Sequence, residues 1–238
     1  MKRELQFVHV GKCGGSTVEK LLPVSSVIRD HYASFFQAHV FGVTVDANCD
    51  YLFCLRNPIN RAFSAFEWRR KLVLEDPQPG QVDRFPGERE ILVKYNTLGC
   101  MARALYLPDG RLNQVVARDF QSLLHLRESI SFYCRPLFGV LAPENIMGVI
   151  CQEALVDDCS RLLGVDVSGV RERRNVSKRR ISGDLDVIAM KNLKRFLVED
   201  YQCLMAFWSL GALDDQQLQR IMNNELRESN GSQADLDR

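Results

Sequence analysis

The sequence predicts an α/β fold with a mostly parallel sheet flanked by helices. Three observations carry this. Short apolar segments rich in β-formers alternate with segments of helical spacing. The first apolar segment runs through a glycine loop into a helix. Asp50–Leu55 (DYLFCL) is apolar with little alternation, as a strand covered on both faces should be. A length of 238 residues suits one domain, placed here at 1–222. The polar remainder, 223–238, has few apolar positions and reads as a flexible tail.

Leu5–Val10 (LQFVHV) is the first strand and stops at Gly11. Gly11–Gly15 is a tight loop. Ser16 and Thr17 lead into a helix over Val18–Leu22 that ends at Pro23. Ser25–Ile28 reads as a short second strand, and His31–Phe41 as a short helix and turn. Asn57-Pro58 ends the Asp50–Leu55 strand, and Pro58 can open the helix over Ile59–Leu72. Glu75–Gly87, with three prolines and two glycines, is a loop. Glu88–Leu107 and Leu112–Phe132 are mainly helical. Ile146–Ile150 is a later strand, and Ala154–Leu163 is a helix closed by Gly164. Val167–Gly183 is a basic loop, and Asp184–Phe207 is an amphipathic helical stretch.

Composition narrows the function. Hydrophobic residues at 46% and charged residues at 26% argue against a disordered or fibrous chain. Lys and Arg number 31 against 30 Asp and Glu, which disfavours a nucleic-acid coat. No apolar run approaches the roughly 18 residues that span a bilayer. Met1-Lys2-Arg3-Glu4 leads into a strand without a signal-like apolar core, so the expected location is cytoplasmic, with neither nucleic acid nor membrane as partner. The eight cysteines include no C-x-x-C pair and read as buried thiols; no metal site is expected.

Ligands of parallel sheets bind at the carboxyl ends of strands, and two loops with chemistry fall there. In HVGKCGGST, Gly14 and Gly15 permit positive φ and let N–H groups approach an anion. The helix start adds partial positive charge, and Ser16 and Thr17 offer hydroxyls. Lys12 precedes the glycine pair, and Cys13 sits within the same cradle. No Gly-Lys-Ser/Thr run exists, so this is not an ATPase phosphate loop. In CLRNPINRAFSAF, Arg56 leaves the strand end with a guanidinium suited to a phosphate. Ser64 projects from the second helical turn, with Arg61 near its face.

Together these loops resemble the two nucleotide signatures of sulfotransferases that use 3′-phosphoadenosine 5′-phosphosulfate. The second signature, Arg-(Asn/Asp)-Pro-x-x-Arg-x-x-Ser-x-(Phe/Tyr), matches in full from Arg56 to Phe66. The first matches at Lys12, Gly14, Gly15, Ser16 and Thr17, but Gly11 replaces the family's usual proline. The resemblance implies a P-loop-like sulfotransferase fold. It assigns Lys12, Gly14, Gly15, Ser16 and Thr17 to the 5′-phosphosulfate, and Arg56 and Ser64 to the 3′-phosphate; Cys13, within the same loop, is counted with the cofactor-binding residues. A weaker likeness to carbohydrate-type members covers Glu199-Asp200-Tyr201 and Arg173–Lys178. It places Arg173 and Lys178, in the basic run Arg171–Arg180, on the cofactor or an anionic acceptor.

The implied reaction moves a sulfuryl group from that donor to a hydroxyl or amine of a sugar or small molecule. The product is 3′,5′-adenosine bisphosphate, and the motifs require no metal. Lys12 would stabilise the leaving oxygen, and a histidine would serve as general base. Of His9, His31, His39 and His125, His31 is favoured as the catalytic base, because it follows the expected second strand and resembles a histidine of carbohydrate-type members. His39 and Glu67 are the alternatives. The acceptor pocket is expected from Tyr95–Tyr106, Glu75–Gly87 and His31–Phe41. A P-loop kinase or nucleotide hydrolase is a rival reading, marked by magnesium dependence. A non-catalytic nucleotide-binding protein is another, marked by binding without transfer.

Overall fold

The computed structural model describes residues 2–40, 42–82, 84–167 and 184–230. In chain order its regular elements are β1 (Arg3–His9), α1 (Gly15–Leu21), α2 (Ser26–His31), β2 (Tyr32–Ala38), β3 (Cys49–Leu55) and α3 (Pro58–Arg70). There follow α4 (Glu88–Tyr95), α5 (Leu98–Ala104), α6 (Gln114–Ser122), α7 (Ile130–Cys134), β4 (Ile146–Cys151) and α8 (Leu155–Leu163). The last are α9 (Val187–Phe196), α10 (Val198–Ser209) and α11 (Asp215–Asn230). The chain divides into two compact units. One holds Met1–Asn57, Glu128–Arg173 and Asp200–Asn223. The other holds Pro58–Arg127, Arg174–Glu199 and Asn224–Arg238.

The first unit is an α/β layer structure on a four-stranded, all-parallel sheet in the order β2-β1-β3-β4. β1 lies between β2 and β3, with Phe7 opposite both Gln37 and Leu52. Its residues Leu5, Phe7 and Val8 are fully buried, as are Tyr51–Leu55 of β3. Each such apolar side chain contributes about 1.5–3 kcal/mol on burial. Phe207 of α10 meets Phe53 edge to face with ring centres 4.6 Å apart. α8 closes at Gly164, whose φ of 62° is the left-handed cap a glycine accepts without strain.

The N-terminal crossover corrects the sequence reading. Ser25–Ile28 is not a strand: Ser25 Oγ accepts a hydrogen bond from Ile28 N at 3.2 Å, capping α2, and donates to the Leu163 carbonyl at 2.6 Å. The second strand is β2, within the stretch read as helix and turn. β2 pairs with β1 alone and sits at the sheet edge. Ala33, Ser34, Phe35 and Gln37 are exposed, so the strand carries no clean alternation to announce it. At the other terminus α11 is helical through Asn230, within the segment read as a flexible tail.

The second unit is helical. α3 passes into a π-helical turn over Lys71–Glu75, and α4, α5, α6 and α9 complete the unit. α9 meets α5 through Asn192, whose Nδ2 donates to the Ala102 carbonyl at 3.0 Å. Arg69 and Glu88 are 1% and 0% exposed and form a 2.6 Å ion pair. Arg69 also donates to Gln81, which ties the proline-rich loop to α3. Arg61 is fully buried and donates to the His125 carbonyl at 2.6 Å. Among the described residues no helix is long and apolar enough to cross a membrane.

The Arg69–Glu88 pair sets a stability test. Glu88→Ala removes the carboxylate and leaves a buried guanidinium without its counter-charge, which should cost about 3–5 kcal/mol. Urea denaturation of the variant should show that loss in the unfolding free energy.

Candidate anion-binding site

The parallel sheet gathers the exits of β1, β2, β3 and β4 at one edge. β1 ends at His9, and the chain turns at once, Cys13 N donating to the Val10 carbonyl at 3.3 Å. Lys12 and Gly14 have φ of 70° and 85°. The left-handed conformation costs Lys12 about 1 kcal/mol, strain of the kind found at ligand clamps. Gly14 caps α1, and Thr17 N returns to the Gly14 carbonyl at 3.0 Å. A Cβ on Gly15 would lie 1.9 Å from His9 Cδ2, so only glycine fits there. α1 is seven residues long, and its end adds little field. Lys12 and Arg56 therefore supply the charge at this edge.

Arg56 leaves β3 half-buried, and its Nη1 donates to the Lys12 carbonyl at 3.3 Å. The second loop thus lies against the first. Lys12 is pushed down to about 8, by burial first and then by the positive charge of Arg56. Asn57 is fully buried and pinned twice: its N–H donates to Glu153 Oε1 at 2.9 Å, and its Nδ2 to the Ile221 carbonyl at 3.0 Å.

A histidine pair lies beneath the cradle. His9 is 5% exposed and stacks on His39 with ring centres 4.0 Å apart and planes 16° apart. Gln37 Nε2 donates to His9 Nδ1 at 2.7 Å, which puts the proton of the neutral ring on Nε2. His39 Nδ1 donates to the His9 carbonyl at 2.9 Å, so the lone pair of neutral His39 is on Nε2. Burial lowers His9 to about 3, with further lowering from His39 and Lys12.

The expected site residues separate. Lys12, Gly14, Gly15, Ser16, Thr17 and Arg56 belong to one edge of the first unit. Ser16 is exposed and Thr17 half-buried. Cys13 is a correction: its side chain is fully buried in the apolar core and its N–H is spent on Val10, leaving neither group for a ligand. Ser64 is half-buried in the second turn of α3, and Glu67 is buried on the same helix, both in the second unit. Arg173 and Lys178 lie outside the described residues.

His31 is the second correction. It closes α2 immediately before β2, so it stands at the amino edge of the sheet rather than the carboxyl edge. There it lines an open hollow of about 580 Å³ with Lys2, Arg3, Asp30, Tyr32 and Asp50. That hollow is at the opposite edge from Lys12 and Arg56. His39, which leaves β2 after Ala38, stands at the carboxyl edge, stacked on His9. The error follows from the misplaced second strand, which reversed the edge on which His31 falls. Sequence reasoning also missed Gln37 and Glu153; a correct β2 would have put Gln37 beside β1. Among the described residues no group of three or more His, Cys, Asp or Glu side chains is placed to hold a metal ion.

Comparisons with family models, curated proteins and solved structures return no match.

The buried imidazole predicts a pH dependence. His9 binds its proton near pH 3 in the folded chain and near 6.5 when unfolded, so the unfolded state holds more protons between these values. The stability tied to neutral His9 is complete above pH 6.5 and is lost as pH falls towards 3. The loss is about 1.4 kcal/mol per pH unit, or about 2 kcal/mol at pH 5. Imidazole NMR should show His9 neutral at pH 5, and denaturation at pH 7 and pH 5 should show a larger drop than in His9→Gln.

Proposed function

We propose that the chain is a sulfotransferase with a P-loop-like fold, using 3′-phosphoadenosine 5′-phosphosulfate as donor. The acceptor is a hydroxyl or amine of a sugar or small molecule, and the expected location is cytoplasmic. The observation that carries the reading is the juxtaposition of Lys12 and Arg56. Arg56 reaches the backbone of the glycine-lined loop that carries Lys12, and Lys12 is lowered first by burial and then by the positive charge of Arg56. An anion bound between them would relieve that repulsion, so the residues fit a polyanionic ligand. The two sequence signatures meet at this point, which supports a phosphosulfate nucleotide over an arbitrary anion.

When bound, the donor supplies an activated sulfuryl group. Lys12 binds the oxygens at the transfer end and offers its ammonium to the oxygen on which negative charge grows. Gly14 and Gly15 let the loop backbone approach that end without side-chain obstruction. Arg56 holds the second phosphate, with Ser64 assigned beside it by its place in the signature. Arg173 and Lys178 are assigned to the nucleotide or an anionic acceptor on the same ground. We take His39 rather than His31 as general base, because His39 shares the sheet edge with Lys12 and its Nε2 carries the lone pair. The stacked, neutral His9 holds His39 in that tautomer through its carbonyl.

Calorimetric titration with 3′,5′-adenosine bisphosphate should give binding at sub-millimolar nucleotide, and no detectable binding rejects the donor assignment. Lys12→Ala should lower turnover by about 10²-fold or more, a larger effect than its weakening of bisphosphate binding, as expected for loss of a leaving-group donor. A fully active Lys12→Ala enzyme contradicts that role. Bisphosphate binding without transfer to a broad acceptor panel would instead favour a non-catalytic nucleotide-binding protein.

A further inference from the structure

We infer that Glu153 is a positioning residue for Arg56, and that the turn Gln152–Leu155 leaving β4 braces both anion-binding loops. This rests on the donor-site reading above. Three strand exits meet here: β1 leads to Lys12–Gly15, β3 to Arg56–Asn57, and β4 to Gln152–Glu153. Glu153 Oε1 accepts from the N–H of Asn57 at 2.9 Å. That N–H belongs to the peptide plane joining Arg56 to Asn57, so anchoring it fixes the plane from which the Arg56 side chain departs. On the far side of the same residue, Asn57 Nδ2 is held by the Ile221 carbonyl at 3.0 Å. The Arg56 guanidinium is then delivered to the Lys12 carbonyl.

The brace reaches the first loop as well. A Cβ on Gly14 would lie 3.2 Å from Leu155 Cδ1 and 3.4 Å from Gln152 Cγ. The same short turn thus touches the residue that caps α1 and the residue that follows Arg56. A carboxylate suits the task, because its hydrogen bond from a backbone N–H is about twice as strong as a neutral one.

The test is a double-mutant cycle on bisphosphate affinity, read by calorimetry on the full chain. Glu153→Ala should weaken binding about tenfold, the size that outer partners of a ligating group carry. In an Arg56→Ala background, Glu153→Ala should change affinity by less than about twofold, because its effect passes through Arg56. Glu153→Gln, which keeps an oxygen acceptor, should recover most of the loss. Wild-type affinity in Glu153→Ala, or equal losses with and without Arg56, overturns the assignment. Should Glu153→Ala fail to fold, Glu153→Asp, whose shorter side chain withdraws the acceptor, takes its place. If the wild-type chain binds no bisphosphate, the donor-site reading fails and hydrogen exchange decides the brace alone. Loss of Asn57 amide protection together with a moved Arg56 Nε–H resonance in Glu153→Ala supports it, and unchanged signals overturn it.

Discussion

Two positive charges forced together at one edge of a parallel sheet are the constraint on which the rest of the site depends. Lys12 and Arg56 come from loops far apart in sequence. They meet because β1 and β3 are parallel neighbours, which puts both strand exits at the same edge. Lys12 shows the cost of its position: its ammonium is disfavoured first by burial and then by the positive charge of Arg56. Much else at the edge serves to hold the arrangement. Gly15 leaves room for His9, Lys12 accepts a left-handed backbone, and Asn57 is tied on both sides. Backbone strain, like-charge repulsion and a buried neutral imidazole all accumulate at this edge.

The histidines show how burial divides labour between chemically identical groups. His9 is enclosed by the sheet and stripped of solvent, so it stays neutral far into the acid range. It works as a packing surface under the cradle and as a hydrogen-bond anchor for His39. His39 lies at the strand exit and is only half-buried. The pair can keep one ring fixed and inert while the other presents a defined nitrogen.

Much of the architecture was legible in the sequence, for reasons that also explain the failures. β1 and β3 are buried on both faces, so LQFVHV and DYLFCL announced themselves as apolar runs. β4 and α8 were legible from IMGVI and from the terminal Gly164. β2 was hidden because an edge strand buries little, while the apolar Val27-Ile28 pair of α2 imitated a strand. That single displacement moved His31 to the wrong edge and obscured His39. Cys13 looked available because it lies in a glycine-rich loop, yet its side chain is buried in the core. Glu153 had no local signal at all, since its partner is distant in the chain and the contact is to a backbone N–H.

The most direct measurement of the central claim is the titration of the Lys12 ammonium by NMR, with and without 3′,5′-adenosine bisphosphate. A midpoint near 8 in the free protein, rising when the nucleotide is added, is the predicted result. A midpoint at the ordinary lysine value near 10.5, unmoved by nucleotide, would contradict the account.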